Sequence, residues 1–499
     1  MKKERKCGIL LPVTSLPSKY GIGCFSKEAY EFIDFLADAG QSYWQVLPLG
    51  VTGYGDSPYQ AFSTFAGNPY MVDLEELIEE GWLTEKECEK AEQGKDPEKI
   101  DYEKIYRSRL ALLKKAFLRS DVSRRKEYRA FVRENAFWLE DFSFFMAMKL
   151  VNRGKSFIRW EDGLRLHKAN AIAKYKKDPK LKSEMDCCKF VQYYFFRQWD
   201  RLKKYANEKG VRIIGDLPIY VAFDSADTWS HPELFQLDEK GYPIAVAGCP
   251  PDYFSQTGQL WGNPLYRWED HRKSGYEWWM QRLEFAFRLF DVVRIDHFRG
   301  FDEYYSIPYG NPTAEFGHWE KGPGYDLFRT MKEKLGEKEI IAEDLGFLTP
   351  GVRKLVKKTG YPGMKILEFA FDSAEDNDYL PHNYDRNCVV YTGTHDNDTV
   401  LGWFSTLAKR DQQFTKDYLG IKNTKHIGWE LIRLALASVS DTAVIPLQDY
   451  LELGSEARIN TPSTLGNNWD WRMKKGSLTP PLAERIRKTC AMYGRCEKE

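Results

Sequence analysis

Short apolar runs alternate with amphipathic stretches along most of this chain. Eight of the runs are predicted to be β-strands, because they are short, rich in branched and aromatic residues, and bounded by turn residues. They cover residues 8–12, 43–49, 211–217, 291–296, 339–342, 363–369, 388–392 and 442–447. Helical periodicity follows most of them, as in residues 28–39, which end at Gly40. Eight apolar strands alternating with helices predict an α/β fold, a (β/α)8 barrel.

Two longer segments interrupt this alternation. Residues 68–189 are charge-rich and helical in pattern, which predicts a mostly helical insertion after the second strand. Residues 222–266 are rich in proline, glycine and aromatic residues, and we expect a loop subdomain after the third strand that covers the site. A single catalytic barrel is therefore expected over residues 1–499. The competing fold is a doubly wound sheet, but Gly21-Ile22-Gly23 lacks the third glycine of a dinucleotide-binding fingerprint.

Composition narrows the class of protein. Lys and Arg together number 73, as do Asp and Glu, so no basic surface for nucleic acid is indicated. No apolar run approaches the length of a membrane span. The nine cysteines form no CxxC pair and the charged N-terminus lacks the features of a signal peptide, so a cytoplasmic protein without a zinc site is expected. Aromatic residues make up 15% of the chain, and aromatic rings suit the apolar faces of sugars.

Four carboxylates follow predicted strands. Asp216, Asp296, Glu343 and Asp396 come after the third, fourth, fifth and seventh strands. Catalytic residues of a (β/α)8 barrel lie at the carboxyl ends of its strands, so we expect these acids to share one mouth of the barrel. Arg294 and Asp296 are two residues apart and project from the same face of their strand. Taken alone, this pair is equally well a structural ion pair that caps the strand.

Acids at a barrel mouth allow two chemistries. A metal site is the weaker alternative, because Val400 and Leu401 stand where a calcium loop beginning at Asp396 would need a ligand and a glycine. Glycosyl transfer or hydrolysis fits better, since neighbouring strands about 4.8 Å apart would bring Asp296 and Glu343 near the ~5–5.5 Å separation of a retaining pair.

Each acid can be given a role on this hypothesis. A nearby cation, Arg294, favours an ionised Asp296, which predicts the nucleophile. Glu343 has no adjacent cation, so burial would keep it protonated as the general acid. Asp396, from across the mouth, would hold sugar hydroxyls and stabilise an oxocarbenium-like transition state.

Several long motifs also resemble those of a known family. VRIDHFRG (293–300), AEDLG (342–346), TGTHDNDT (392–399), GDLPIYV (215–221), GYGDSPYQ (53–60) and AGCPPDYFSQTGQLWGNP (247–264) closely resemble motifs of the 4-α-glucanotransferases, or amylomaltases. This family, glycoside hydrolase family 77, is a branch of the α-amylase clan. The resemblance covers essentially the whole chain and implies a (β/α)8 barrel with insertions and no C-terminal β-domain.

The resemblance also implies roles for individual residues. It makes Asp296 the nucleophile, Glu343 the acid/base and Asp396 the transition-state stabiliser, with no metal and no cofactor. The residues it suggests for substrate binding are Arg294, His395, Asp216, Tyr59 and Asn468, together with Tyr253, Phe254 and Trp261 as stacking surfaces in the 222–266 segment.

The function expected on this basis is transfer of α-1,4-glucan segments. The donor would be a maltooligosaccharide or starch, and the acceptor the 4-hydroxyl of glucose or another glucan, by retaining double displacement. The expected partners are these sugars, with no nucleic acid or membrane, and the protein would be a monomer or homodimer. An α-glucan hydrolase of the same clan and a non-catalytic glucan-binding barrel are the alternatives.

Overall fold

A computed structural model describes residues 4–53, 55–251, 255–346, 348–374 and 377–497. Its strands are β1 Lys6–Leu10, β2 Tyr43–Gln45, β3 Arg212–Leu217, β4 Ala245–Cys249, β5 Gln259–Pro264, β6 Val292–Ile295, β7 Glu303–Pro308, β8 His318–Lys321, β9 Ile340–Ala342, β10 Gly363–Ile366, β11 Cys388–Tyr391 and β12 Thr442–Pro446. Its α-helices are α1 Lys27–Asp38, α2 Leu74–Glu79, α3 Glu85–Lys90, α4 Tyr102–Arg119, α5 Lys126–Glu134, α6 Ala136–Val151, α7 Asp162–Arg165, α8 Ala169–Tyr175, α9 Pro179–Glu208, α10 Ala226–Ser230, α11 Trp268–Lys273, α12 Glu277–Leu289, α13 Tyr325–Leu335, α14 Pro350–Thr359, α15 Val400–Thr406, α16 Lys409–Leu419, α17 Ile427–Ala437, α18 Leu447–Tyr450 and α19 Pro480–Met492.

Eight of the strands close into a parallel barrel. Their order around it is β1-β12-β11-β10-β9-β6-β3-β2, and every neighbouring pair runs parallel. These are the eight strands predicted from the apolar runs, so the (β/α)8 barrel is confirmed. None of the described helices is long and apolar enough to cross a membrane.

Side-chain alternation divides the core into two layers. One face of each barrel strand fills the interior with residues such as Ile214, Val292 and Ile341. The other face packs under the surrounding helices in a much larger cluster, which includes Ile213 and Val293. Because the interior face continues to the end of each strand, residues two positions beyond these interior side chains face the mouth of the barrel.

The chain between β2 and β3 carries helices α2 to α9. The longest, α9, begins earlier than the sequence suggested, at Pro179 instead of residue 190. Pro179 occupies the first turn and the Asp178 side chain accepts a hydrogen bond from the backbone N–H of Lys180, which together start the helix there. The charged first turns of α9 belong to the same helix as its aromatic second half.

The segment 222–266 differs from the predicted loop. It contains α10 and two strands, β4 and β5, which join β7 and β8 in an antiparallel sheet of order β5-β4-β7-β8. The sequence predicted no strands here, because β4 and β5 contain Gly248, Gly262 and Pro264, residues that are rare within strands. The second pair comes from the connection between β6 and α13, so the sheet is assembled from two separate parts of the chain.

Burial of His271 on α11 gives a testable pH dependence of stability. The side chain is fully buried beside Tyr266, Trp268 and Trp278, and this burial lowers its pKa to about 4. The unfolded chain therefore binds a proton at higher pH than the folded protein, so folding stability is lost as pH falls below the unfolded value of about 6.5. We expect the free energy of unfolding to fall by about 2 kcal/mol more between pH 6.5 and 4.5 in the wild type than in His271→Gln.

Urea unfolding across that pH range measures this difference. The control is His426→Gln, which removes an exposed histidine and should leave the slope unchanged. Equal pH slopes for the wild type and His271→Gln would contradict the role given to the buried ring.

Candidate active site

Three neighbouring barrel strands present polar residues at the same end. Ile214, Val292 and Ile341 lie inside the barrel, and the residues two positions further on are Asp216, Arg294 and Glu343. Asp296 lies two positions beyond Arg294, just after β6. Pairing of β6 with β9 sets Ile295 opposite Ala342, which brings Asp296 and Glu343 to adjacent strand ends.

Arg294 connects two of the acids. Its Nη1 lies 2.8 and 2.7 Å from the two carboxylate oxygens of Asp216 and 3.0 Å from Oδ1 of Asp296. The side chains of Arg294 and Asp216 are 4% and 0% exposed, whereas that of Asp296 is 28% exposed. The hydroxyl of Tyr59 donates a further hydrogen bond of 2.8 Å to Asp216. A buried guanidinium thus anchors Asp296 while leaving part of its carboxylate open to the mouth of the barrel.

The pKa of Asp296 reflects more than its nearest cation. The pKa is raised to about 7, and burial is the largest cause. Arg294 acts in the opposite direction, and the carboxylates of Asp216, Glu343 and Asp396 add to the increase. The expectation from the sequence considered Arg294 alone. Burial alone outweighs the effect of Arg294 on the pKa of Asp296, and the three carboxylates add to the increase.

Glu343 is oriented by the backbone that follows Asp296. Its Oε2 accepts a 2.6 Å hydrogen bond from the N–H of His297, and its Oε1 accepts one of 2.9 Å from Leu345. His297 has a φ of +51°, a left-handed conformation, and its N–H points toward the neighbouring strand end. The turn after the β6 acid therefore fixes the carboxyl group after β9.

Asp396 reaches the mouth from the loop after β11. Asn460 Nδ2 donates a 2.6 Å hydrogen bond to its Oδ1, and His395 Nε2 lies 3.3 Å from its Oδ2. Burial alone would raise the pKa of Asp396, but His395, the Asn460 hydrogen bond and Arg294 together lower it to about 2. Asp396 is thus held as a carboxylate.

Aromatic rings surround the acids. Tyr59 stacks on His395 with ring centroids 5.2 Å apart, and Trp469 lies 6.0 and 5.9 Å from these two rings. Trp261 meets His297 edge-on at 4.8 Å. These rings form an apolar wall next to ionised groups, a combination that suits a sugar.

Of the predicted substrate-binding residues, Asn468 stands apart from this cluster. Tyr253 and Phe254 lie outside the described residues. Asn468 uses its amide within its own loop: Oδ1 accepts from the N–H of Thr461 at 2.9 Å, and Nδ2 donates to the carbonyl oxygen of Thr464 at 3.1 Å and to its hydroxyl at 3.0 Å. These contacts shape the loop that carries Trp469.

Trp469, Asn460 and the backbone of His297 belong to the site but were not predicted from the sequence. Asn460 contacts Asp396 across 64 residues, and no local pattern marks it. The N–H of His297 contributes as a backbone group, which carries no side-chain signal. Within the described parts of the chain, no group of three or more His, Cys, Asp and Glu side chains is arranged to hold a metal ion.

The fold and the site together define a (β/α)8 barrel with a cluster of carboxylates at the carboxyl ends of its strands. Residues 11–479 match the family model described as 4-alpha-glucanotransferase. The chain therefore belongs to glycoside hydrolase family 77, the 4-α-glucanotransferases.

Individual relatives agree with this assignment. A 4-alpha-glucanotransferase of Clostridium butyricum is 49% identical over 97% of this chain and 100% of its own length. One from Thermus thermophilus is 47% identical over 98% of each chain. Among solved structures, the amylomaltase from Streptococcus agalactiae in complex with acarbose is 40% identical and superposes with a TM-score of 0.96, covering 99% of this chain and 100% of that one.

Proposed function

We propose that this chain transfers α-1,4-glucan segments from a maltooligosaccharide or starch donor to the 4-hydroxyl of glucose or another glucan. The observation that carries the proposal is the pair of carboxyl groups, Asp296 and Glu343, at the ends of the neighbouring strands β6 and β9. Membership of the 4-α-glucanotransferase family supports the reaction class.

In the first half-reaction Asp296 is the nucleophile. Its ionised carboxylate attacks the anomeric carbon, and Glu343 protonates the glycosidic oxygen as the bond to the leaving sugar breaks. The products are a covalent glycosyl-enzyme and a shortened sugar carrying a free hydroxyl. Asp396, held as a carboxylate by His395 and Asn460, stabilises the positive charge that develops on the sugar ring.

The second half-reaction reverses the first with a different sugar. Glu343, now deprotonated, takes the proton from the 4-hydroxyl of the acceptor, whose oxygen attacks the anomeric carbon and releases Asp296. Two inversions leave the new bond in the α configuration. Water at the same step would give hydrolysis, so transfer requires that a sugar occupy the site in preference to water.

The sheet that contains β5 supports this preference. Trp261 on β5 meets His297, the residue after the nucleophile, and Gln60 Nε2 donates a 3.0 Å hydrogen bond to Asn263 on the same strand. We propose that the segment 222–266 covers the site and offers an apolar surface to the acceptor. Tyr253 and Phe254 would extend this surface.

Donor binding is assigned to the rings that lie beside Asp396 and Asp216. Tyr59, His395 and Trp469 would stack on sugar faces, and His395 would contact a hydroxyl group of the sugar at the cleavage point. Asp216, whose side chain is fully buried, would act on the sugar through its contacts with Arg294 and Tyr59. Asn468 would act near the same loop as Trp469. The complex of the Streptococcus agalactiae amylomaltase with acarbose supports a carbohydrate as the ligand of this chain.

Incubation with maltotriose tests the proposed reaction. Transfer conserves the number of glycosidic bonds, so we expect glucose and a ladder of longer maltooligosaccharides with no rise in total reducing ends. A matched reaction with Asp296→Asn should leave maltotriose unchanged. Products no longer than maltotriose, with a rise in reducing ends, would identify a hydrolase instead, and unaltered maltotriose would identify a binding protein.

A further inference from the structure

Glu368 is a carboxyl group at the mouth of the barrel that the proposed mechanism does not use. It lies in the short 3-10 turn Leu367–Phe369 directly after β10, between the strand that leads to Glu343 and the strand that leads to Asp396. Its backbone N–H donates a 3.1 Å hydrogen bond to the carbonyl oxygen of Thr392, at the end of β11. The side chain therefore lies next to the loop 393–398, which carries Asp396.

The contact between Glu368 and this loop is tight. Oε1 of Glu368 is shielded from solvent and has no hydrogen-bond partner among the described residues. A Cβ built on Gly393 would lie 2.7 Å from that oxygen and 3.1 Å from the Cβ of Asn397. Gly393 does not have a positive φ, so space, not backbone conformation, is what requires glycine here.

Hydrogen bonds within the loop connect Asn397 to Asp396 through Thr394. Asn397 Oδ1 accepts from the backbone N–H of Thr394 at 2.9 Å and from its hydroxyl at 2.8 Å, and the N–H of Asp396 donates to the hydroxyl oxygen of Thr394 at 3.3 Å. Arg458 Nη2 donates to the carbonyl oxygen of Asp396 at 2.8 Å. A shift at Gly393 or Asn397 would therefore move the Asp396 carboxylate.

We propose that Glu368 is a positioning residue for Asp396: its side chain, wedged against Gly393 and Asn397, holds the loop 393–398 in the conformation that presents Asp396 to the sugar. The inference rests on the proposed function, because it assumes that Asp396 stabilises the transition state. Displacing a catalytic group by about 1 Å can lower the rate on the order of 100-fold, so such support has a measurable effect.

The charges around Glu368 require it to be neutral for this role. Burial raises its pKa well above the ordinary range, and Asp449 and Asp398 add to the increase, while Arg458 and the side chain of Asn397 act in the opposite direction. Ionisation at alkaline pH would add a third negative charge beside Asp398 and Asp449. It would also attract Arg458, which bonds to the Asp396 carbonyl oxygen, so the loop should lose its arrangement as Glu368 loses its proton.

Variants of Glu368 and Gly393 test the proposal by steady-state kinetics with maltotriose. Glu368→Ala should lower kcat about 10- to 100-fold with KM changed less than about threefold, because the loop loses its support while the substrate-binding rings remain. Glu368→Gln keeps the shape and mimics the neutral acid, so it should retain kcat within about threefold. Its rate should also persist to higher pH than that of the wild type, since it cannot ionise.

Gly393→Ala tests the close approach itself. Its Cβ would collide with Glu368, so kcat should fall about tenfold or more, and the double variant Glu368→Ala/Gly393→Ala should lose less than the product of the two single losses. A residue that only stabilises the fold would produce neither this non-additivity nor the persistence of the Glu368→Gln rate to higher pH.

The outcomes separate this inference from the proposed function. Asp396→Asn should lose activity by about three orders of magnitude or more. Suppose that Asp396→Asn loses activity in this way. If Glu368→Ala then keeps the wild-type kcat, or if the kcat of Glu368→Gln falls at the same alkaline pH as that of the wild type, the positioning role is overturned and the proposed function stands. If the wild type forms no longer oligosaccharides from maltotriose, the proposed function and this inference are both overturned.

Discussion

Asp296→Asn is expected to lose glucan transfer by at least about four orders of magnitude while folding normally. The amide cannot form the glycosyl-enzyme, so both half-reactions stop. The substitution keeps the shape of the side chain, and its neighbour Arg294 retains both hydrogen bonds to Asp216. The measurement is the initial rate of glucose release from maltotriose, with circular dichroism to check the fold.

Glu343→Gln should fail at a different point, which allows the two roles to be told apart. Loss of the general acid matters less for a leaving group that needs no proton, such as fluoride. With an α-maltosyl fluoride donor, Glu343→Gln should react and accumulate the covalent glycosyl-enzyme, visible as a mass increase of the intact protein. Asp296→Asn should show no mass increase with either donor.

The chain offers controls on the same strands. Asp291→Asn makes the same substitution just before β6, at the opposite end of the barrel, and Glu339→Gln does so just before β9. Both should keep wild-type rates. A mass increase in Asp296→Asn, or a wild-type rate in either site variant, would contradict the assigned roles.

The barrel could be predicted from the sequence because its strands are buried on both faces. Such strands form continuous apolar runs bounded by turns, and all eight were found within a few residues of their ends. The antiparallel sheet could not be found in this way. Its outer strand β8 has the sequence His-Trp-Glu-Lys and is largely exposed, so it carries no apolar run to mark it.

The acids of the site were predictable for a related reason. Alternation along a strand and the common direction of barrel strands place Asp216, Asp296 and Glu343 together once the strands are known. What surrounds them was not predictable. Asn460 and Glu368 act through contacts between distant parts of the chain, and the pKa of Asp296 depends on burial and on three other carboxylates, none of which is visible from Arg294 two residues away.

Arg294 pairs with the buried Asp216 and with Asp296, so its removal should affect both stability and activity. Arg294→Met leaves the carboxylates of Asp216 and Asp296 beside each other without a cation. Stranding a buried charge in this way costs about 3–5 kcal/mol, which should appear as a lower free energy of unfolding. The pKa of Asp296 should rise further, because Arg294 is the group that opposes burial and like-charge repulsion.

The catalytic consequence follows from the sign of that shift. On the proposed mechanism Asp296 attacks only when ionised, so activity should fall as pH drops through its pKa. In Arg294→Met the acid limb of kcat/KM, which reports the free enzyme, should move to higher pH, and activity at pH 7 should fall at least about 100-fold.

Asp216→Asn is the matched variant with the opposite sign. It removes a negative charge near Asp296, and a neutral amide oxygen competes less strongly than a carboxylate for Arg294 Nη1, so the pKa of Asp296 should fall and the acid limb should move to lower pH. The double variant Arg294→Met/Asp216→Asn strands one buried charge fewer than Arg294→Met and should recover part of its lost stability. Movement of both acid limbs in the same direction would show that Arg294 and Asp216 do not act on Asp296 through charge. The proposal that these two charges set the pKa of Asp296 would then be wrong.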